Sequence, residues 1–162
     1  MKLITVGSVA FDAIETPFGK TDKIVGGAGT FISLSSSFFV QSQGIVSVVG
    51  EDFPQETLDY LKSKGINIDG IQIKKGEKTF FWSGRYHNDM NSRDTLVTEL
   101  NVLGDFNPVI PSNYQGADYL MLGNLSPEVQ RQVIERLETR PKLIVMDTMN
   151  FWMDIALDEL KK

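Results

Sequence analysis

The sequence predicts an α/β fold, a mostly parallel sheet flanked by helices. Three observations lead there. Short apolar runs alternate with amphipathic helical runs along most of the chain. A glycine cluster, "KIVGGAGTF" (23–31), opens one of the helices. One pair of β-rich runs breaks the alternation and reads as a hairpin appended to the sheet.

The elements follow in order. "KLITV" (2–6) is a short buried strand stopped by Gly7. After Gly26, Gly27 and Gly29, a helix is predicted over 28–42, with Ala28, Phe31, Ile32, Phe38 and Phe39 as its apolar positions and Gly44 as its stop. Serines at 33, 35, 36 and 37 are poor helix formers, so packing has to hold this helix. "GIVSVVG" (44–50) is the next strand. "DFPQETLDYLKSKG" (52–65) is a helix with Pro54 in its first turn, Leu58 and Leu61 on one face and Gly65 as terminator. "TFFWSGRYH" (79–87) and "TLVTELNVL" (95–103) are the two hairpin strands, joined by the polar "NDMNSRD" (88–94). "ADYLMLG" (117–123) returns to a buried strand. "SPEVQRQVIERLE" (126–138) carries full helix signals: Ser126 as cap, Pro127 at the first position, Glu128 at the positive end, and Val129, Val133 and Leu137 down one face. "KLIVMD" (142–147) is a strand, and "FWMDIALDELKK" (151–162) is helical with no stop signal.

Composition narrows the function classes. The 162 residues suit one domain with a real core. A net charge of −5 argues against nucleic acid or an anionic membrane as partner. With no cysteine there is neither a disulfide framework nor a thiolate metal site. The N-terminus is too polar for a signal peptide, and no apolar run approaches the about 20 residues of a membrane span. A cytoplasmic protein is the expectation.

Several motifs fail on inspection. "GKT" (19–21) ends like a Walker A loop, but Ile14 stands where that loop needs its first glycine, so a surface turn is expected. From Gly27, a dinucleotide fingerprint would need glycine at Ile32. In "DMNSRD" (89–94), Arg93 and Asp94 break the calcium-loop pattern. His87 is the only histidine and has no partner for a metal site. By itself, "GGAGTF" is a tight turn before a helix. Its functional reading is close backbone approach to a polar ligand by free N–H groups at the helix N-terminus. Asp12 lies just past the first strand, where open α/β sheets bind ligands, and a carboxylate there can accept two hydroxyl hydrogen bonds.

Taken together and in order, "GSVAFD" (7–12), "GGAGTF" (26–31), "VVGEDF" (48–53), "LKSKGINIDGI" (61–71), "ADYLMLGNLSPE" (117–128) and "LIVMDTMNFW" (143–152) resemble the N-terminal half of the PfkB/ribokinase family of carbohydrate kinases. The resemblance covers essentially the whole chain. It implies a partial ribokinase-like three-layer fold over 1–162, with lid strands around 13–25 and 71–103 and with the C-terminal ATP-binding half missing. It implies ATP-dependent phosphoryl transfer to a sugar or nucleoside hydroxyl in the full-length parent. Asp12 would bind substrate hydroxyls, Gly26 and Gly27 would let backbone approach the sugar, and Phe31 would stand at the substrate-contacting end of the glycine motif. The family commonly has asparagine at that last position, so Phe31 suggests an altered or less polar substrate. Phe151 takes the place of an arginine that many family members carry, which disfavours an acidic substrate. The catalytic aspartate belongs to the missing half, so no catalytic and no metal residue is assigned. ATP and Mg2+ are implied for the whole enzyme and neither for this chain alone, which is expected to be inactive. A homodimer through the β lid or an exposed sheet edge is expected. The rival reading is a naturally short, non-catalytic carbohydrate-binding or oligomerisation protein of the same fold.

Overall fold

The computed structural model describes residues 1–162. In chain order the strands are β1 (Leu3–Val6), β2 (Ala10–Thr16), β3 (Gly19–Lys20), β4 (Ile24–Gly26), β5 (Gln43–Gly50), β6 (Ile66–Lys74), β7 (Phe81–Tyr86), β8 (Arg93–Glu99), β9 (Tyr119–Leu122) and β10 (Leu143–Met146). The helices are α1 (Ala28–Ser36), α2 (Gln55–Ser63), α3 (Pro127–Glu135), α4 (Asn150–Ile155) and α5 (Leu157–Leu160). Five strands build a wholly parallel sheet in the order β10-β9-β1-β5-β6. The chain runs outward from β1 to β6, then returns to the other side of β1 for β9 and β10. The order therefore reverses between β1 and β9, the switch point at which such sheets bind ligands beyond their carboxyl ends. A second sheet, β3-β2-β7-β8 with β4 also paired to β2, stands apart as the lid-like appendage.

Period-two alternation divides the core between the two faces of the parallel sheet. Ile4, Val6, Val46, Val48, Leu120 and Leu122 pack on one face against Tyr114, Val102, Phe106 and Val133. Ile45 and Val49 point the other way, against Phe11, Phe53, Leu58 and Leu61. Strands buried on both faces read as unbroken apolar runs, which is why β1, β5 and β9 were visible in the sequence. No helix is long and apolar enough to cross a membrane.

The structure corrects five boundaries. α1 ends at Ser36 rather than 42, and Phe38 and Phe39 beyond it are each 86% exposed. The hydroxyls of Ser36 and Ser37 bond back to the carbonyls of Ser33 and Leu34, which closes the last turn. Gly44 is no stop but lies inside β5, where a Cβ would sit 2.4 Å from the Tyr114 ring. Residues 66–74 form β6, a strand that Asn67, Asp69 and Gly70 disguise, so 71–74 belong to the parallel sheet and not to the lid. The second hairpin strand is 93–99, and 101–103 form a tight 3-10 turn that buries Val102 in the main core. α3 is shorter than expected but capped as expected, with Ser126 Oγ accepting from Val129 N at 3.4 Å. The last helical run divides at Ala156 into α4 and α5.

Candidate substrate-binding site

The site is built where β1 ends. Gly7, Ser8 and Val9 carry the chain out of the parallel sheet and into β2. The Val9 amide donates to Ser47 Oγ at 3.1 Å, and Gly7 N donates to Val46 O at 3.3 Å. Ser8 then serves as the cap of α1 from a distance: its Oγ accepts from Ala28 N at 3.1 Å and its carbonyl accepts from Gly29 N at 2.9 Å. Thr30 Oγ1 donates to Gly26 O at 2.8 Å.

These contacts give the glycine cluster a reason internal to the fold. Gly27 has φ +96°, and a Cβ there would lie 2.3 Å from Ser8 O. A Cβ on Gly29 would meet Gly7 O at 2.8 Å, and one on Gly26 would fall 2.0 Å from Asp12 Oδ2. What approaches the glycines is the chain's own β1–β2 connection and the Asp12 carboxylate. The expectation of free N–H groups is corrected here, because Ser8 takes the amides of Ala28 and Gly29.

Asp12 sits on β2, half-buried, and accepts no hydrogen bond from the chain. Burial pushes its carboxyl above the ordinary value. Register places it in one cross-strand row with Ile24, Trp82 and Thr98, so all four side chains share a face of the second sheet. The Trp82 ring lies against Gly84, and its Nε1 donates to Thr95 Oγ1 at 3.3 Å. Asp12, Gly26 and Gly27 thus come together. Phe31 does not join them. It is 59% exposed and lines a groove of about 540 Å³ with Leu3, Tyr119, Met121 and Val145 on the flank of the parallel sheet.

Beyond β9 and β10, Gln130, Asn124 and Trp152, which the sequence reading passed over, fill the carboxyl edge together with Phe151. Gln130 of α3 donates to Gly123 O and Asp147 O, each at 2.9 Å, and so ties the two strand ends together. Asn124 Oδ1 accepts from Trp152 Nε1 at 2.9 Å. Phe151 packs edge-on against Trp152 with ring centroids 4.9 Å apart. The spacing of Asn124 and Trp152 along the chain offers no local signal for their meeting.

No three His, Asp or Glu side chains gather to hold a metal ion. "GKT" is not the expected turn: Gly19 and Lys20 are the short exposed strand β3 paired to β2, the turn lies at 17–18, and the Thr21 hydroxyl accepts from Ile14 N at 3.0 Å. Asp89, at the hairpin tip, spends its Oδ1 on Asn91 N and Ser92 N at 3.0 and 3.1 Å, closing a turn. His87 Nε2 pairs with Asp94 at 2.9 Å on the surface.

Comparison with known proteins agrees with this architecture. No protein-family model matches the chain. The cytidine kinase of Thermococcus kodakarensis is 32% identical over 139 residues, which are 85% of this chain and 49% of that protein. The nucleoside kinase of Methanocaldococcus jannaschii, an archaeal member of the ribokinase family, superposes with a TM-score of 0.72 at 20% identity, over 99% of this chain and 57% of the other. An E. coli ribokinase II in complex with ATP and Mg2+ superposes with a TM-score of 0.75 at 18% identity, over 98% of this chain and 57% of the other. The chain has the ribokinase-like fold, is related to the ribokinase/PfkB kinases, and spans about half the length of the relatives it matches.

Proposed function

We propose that this chain is the substrate-binding half of a kinase that transfers the γ-phosphoryl group of ATP to a hydroxyl of a nucleoside or sugar. One observation carries the reading: a half-buried carboxylate, Asp12, that no group of the chain satisfies, held on the lid sheet next to the glycine turn at the switch point of the parallel sheet. A substrate hydroxyl donating to Asp12 would supply the missing partner. The 32% identical relative is a cytidine kinase, which favours a nucleoside, and the flat Trp82 ring in the same row as Asp12 offers a planar base an apolar wall. Gly26 and Gly27 keep the floor of this site low. Phe31 drops out of the set, since it lines the outer groove.

Phosphoryl transfer needs a positioned base and fixed positive charge on the phosphates. Neither stands at Asp12, so ATP, Mg2+ and the catalytic aspartate are assigned to a second half of the enzyme, working in the cytoplasm. Self-association is proposed through the lid, whose outermost strand β8 is exposed along its whole length. Calorimetric titration of the chain with cytidine and with ribose tests the reading. Binding of either that is lost in Asp12→Ala supports it, and binding of neither overturns it.

A further inference from the structure

Four connections join the lid sheet to the parallel sheet, and one carboxylate fastens two of them to a turn within the lid. Asp52, in the turn after β5, accepts through Oδ1 from the Thr79 amide at 2.8 Å and the Thr79 hydroxyl at 2.7 Å. Its Oδ2 accepts from the Lys23 ammonium at 3.1 Å. Thr79 opens the run into β7, and Lys23 immediately precedes β4. A second connection, where the chain leaves β8, is fastened to the same point: Asn101 Nδ2 donates to Thr79 O at 3.0 Å, and Val102 N to Lys78 O at 3.2 Å. Thr79 is only 1% exposed, and its hydroxyl also accepts from Gly50 N at 3.0 Å. Gly50 leaves no slack, because a Cβ there would lie 2.5 Å from Thr79 N. Lys23 also rests 3.8 Å above the Phe11 ring of β2, so the same ammonium touches the strand that carries Asp12. Burial would raise the Asp52 carboxyl, but the two Thr79 bonds and Lys23 hold it below the ordinary range, and it is ionised at neutral pH.

We propose that Asp52 is the pivot of the lid, a positioning residue that sets the angle of the second sheet over Asp12 without touching substrate. Hinged covers turn on a few residues at the ends of elements. Here those residues are Lys23, Thr79 and Asn101, and Asp52 or its partner Thr79 binds each of them. The consequence for ligand binding rests on the substrate-site reading above; the mechanical claim does not.

The chain has no cysteine, so two spin labels can be placed cleanly, through Glu56→Cys on α2 and Asn88→Cys at the hairpin tip. Pulsed electron spin resonance should give a narrow distance distribution in the labelled chain. Asp52→Ala should broaden and shift it. Asp52→Asn, which can still accept both Thr79 bonds but turns its Nδ2 toward Lys23, should broaden it no more than Lys23→Met does. Lys23→Met, which removes only the half-exposed third contact, should broaden it partway and decides the matter if Asp52→Ala fails to fold. If the competent lid position falls to about one molecule in ten, Asp52→Ala should also bind cytidine about tenfold more weakly. An Asp52→Ala distribution as narrow and as centred as that of the unsubstituted chain overturns the pivot, and so does an Asp52→Asn distribution as broad as that of Asp52→Ala. If the labelled chain binds no cytidine, the substrate reading fails while the distances still decide the pivot.

Discussion

Asp12 and Gly27 show how differently two neighbours in one site are constrained. Burial lifts the Asp12 carboxyl, so the folded chain holds that proton more tightly than the unfolded chain does. Its ionisation therefore costs stability at neutral pH, and the cost is relieved as pH falls through the folded value. Asp12→Asn should melt higher than the parent at neutral pH, with the difference shrinking in acid, as scanning calorimetry would read. The same variant should bind nucleoside about tenfold more weakly, because its amide keeps one acceptor oxygen and replaces the other with a donor. A lower melting point at neutral pH would mean that Asp12 is a structural residue. Gly27 is the opposite case. Its backbone lies in a region open essentially to glycine alone, so Gly27→Ala should destabilise the chain by at least about 1–3 kcal/mol with no ligand present. Urea unfolding checks this. A normal midpoint would return the glycine turn to a purely ligand-directed role.

At the level of elements, capping and packing divide the work. Ser126 satisfies the first turn of α3 through its own side chain, and Ser126→Ala should cost about 1 kcal/mol in the same unfolding experiment. α1 has no side-chain cap of its own, and Ser8, twenty residues earlier, takes that role. The segment after α1 is apolar without being buried. Replacing Phe38 and Phe39 together with serine should shift stability by less than about 0.5 kcal/mol, as expected of surface positions. A loss of several times that would restore the longer helix expected over 28–42. Tyr114 ties elements that are far apart in sequence: its hydroxyl donates to Asn67 O at 2.7 Å and accepts from Gly70 N at 3.3 Å. Burial is the main cause that pushes this hydroxyl up to about 12, so it stays protonated throughout the working range.

For the whole molecule, the parallel sheet is finished on one side and open on the other. β6 is covered by α2, whereas Leu143 and Val145 of the edge strand β10 are 54% and 45% exposed beside the Phe31 groove. Unpaired edge strands thus include β8 on the lid and β10 on the main sheet. We expect light scattering at micromolar concentration to show a dimer that Val97→Lys disperses and Leu143→Lys leaves intact. The reverse result would move the interface to β10. On the proposed assignment of catalysis to a second half, the chain alone should form no phosphorylated product from ATP and cytidine. Detectable turnover would overturn the assignment of catalysis to a second half.

Much of this was legible in the residues alone, and the division follows the range of the interactions. Buried parallel strands announce themselves as apolar runs, and the α3 cap is written in four consecutive residues. The ordered motifs from "GSVAFD" to "LIVMDTMNFW" lead to the ribokinase-like fold and to Asp12 because each is local and together they are ordered. β6 was hidden because Asn67, Asp69 and Gly70 suit a strand only where Tyr114 arrives to pack on them. The length of α1, the exposure of Phe31, the true neighbours of the glycines and the role of Asp52 were decided by tertiary structure. The last two, like the strand character of β6, depend on contacts between residues fourteen to forty-seven positions apart: Asp12 with Gly26, Ser8 with Ala28, Asp52 with Thr79 and Tyr114 with Asn67. Sequence pattern speaks for the residues within a turn or two of one another; which distant backbone fills a glycine's missing side chain is settled only when the sheets are assembled.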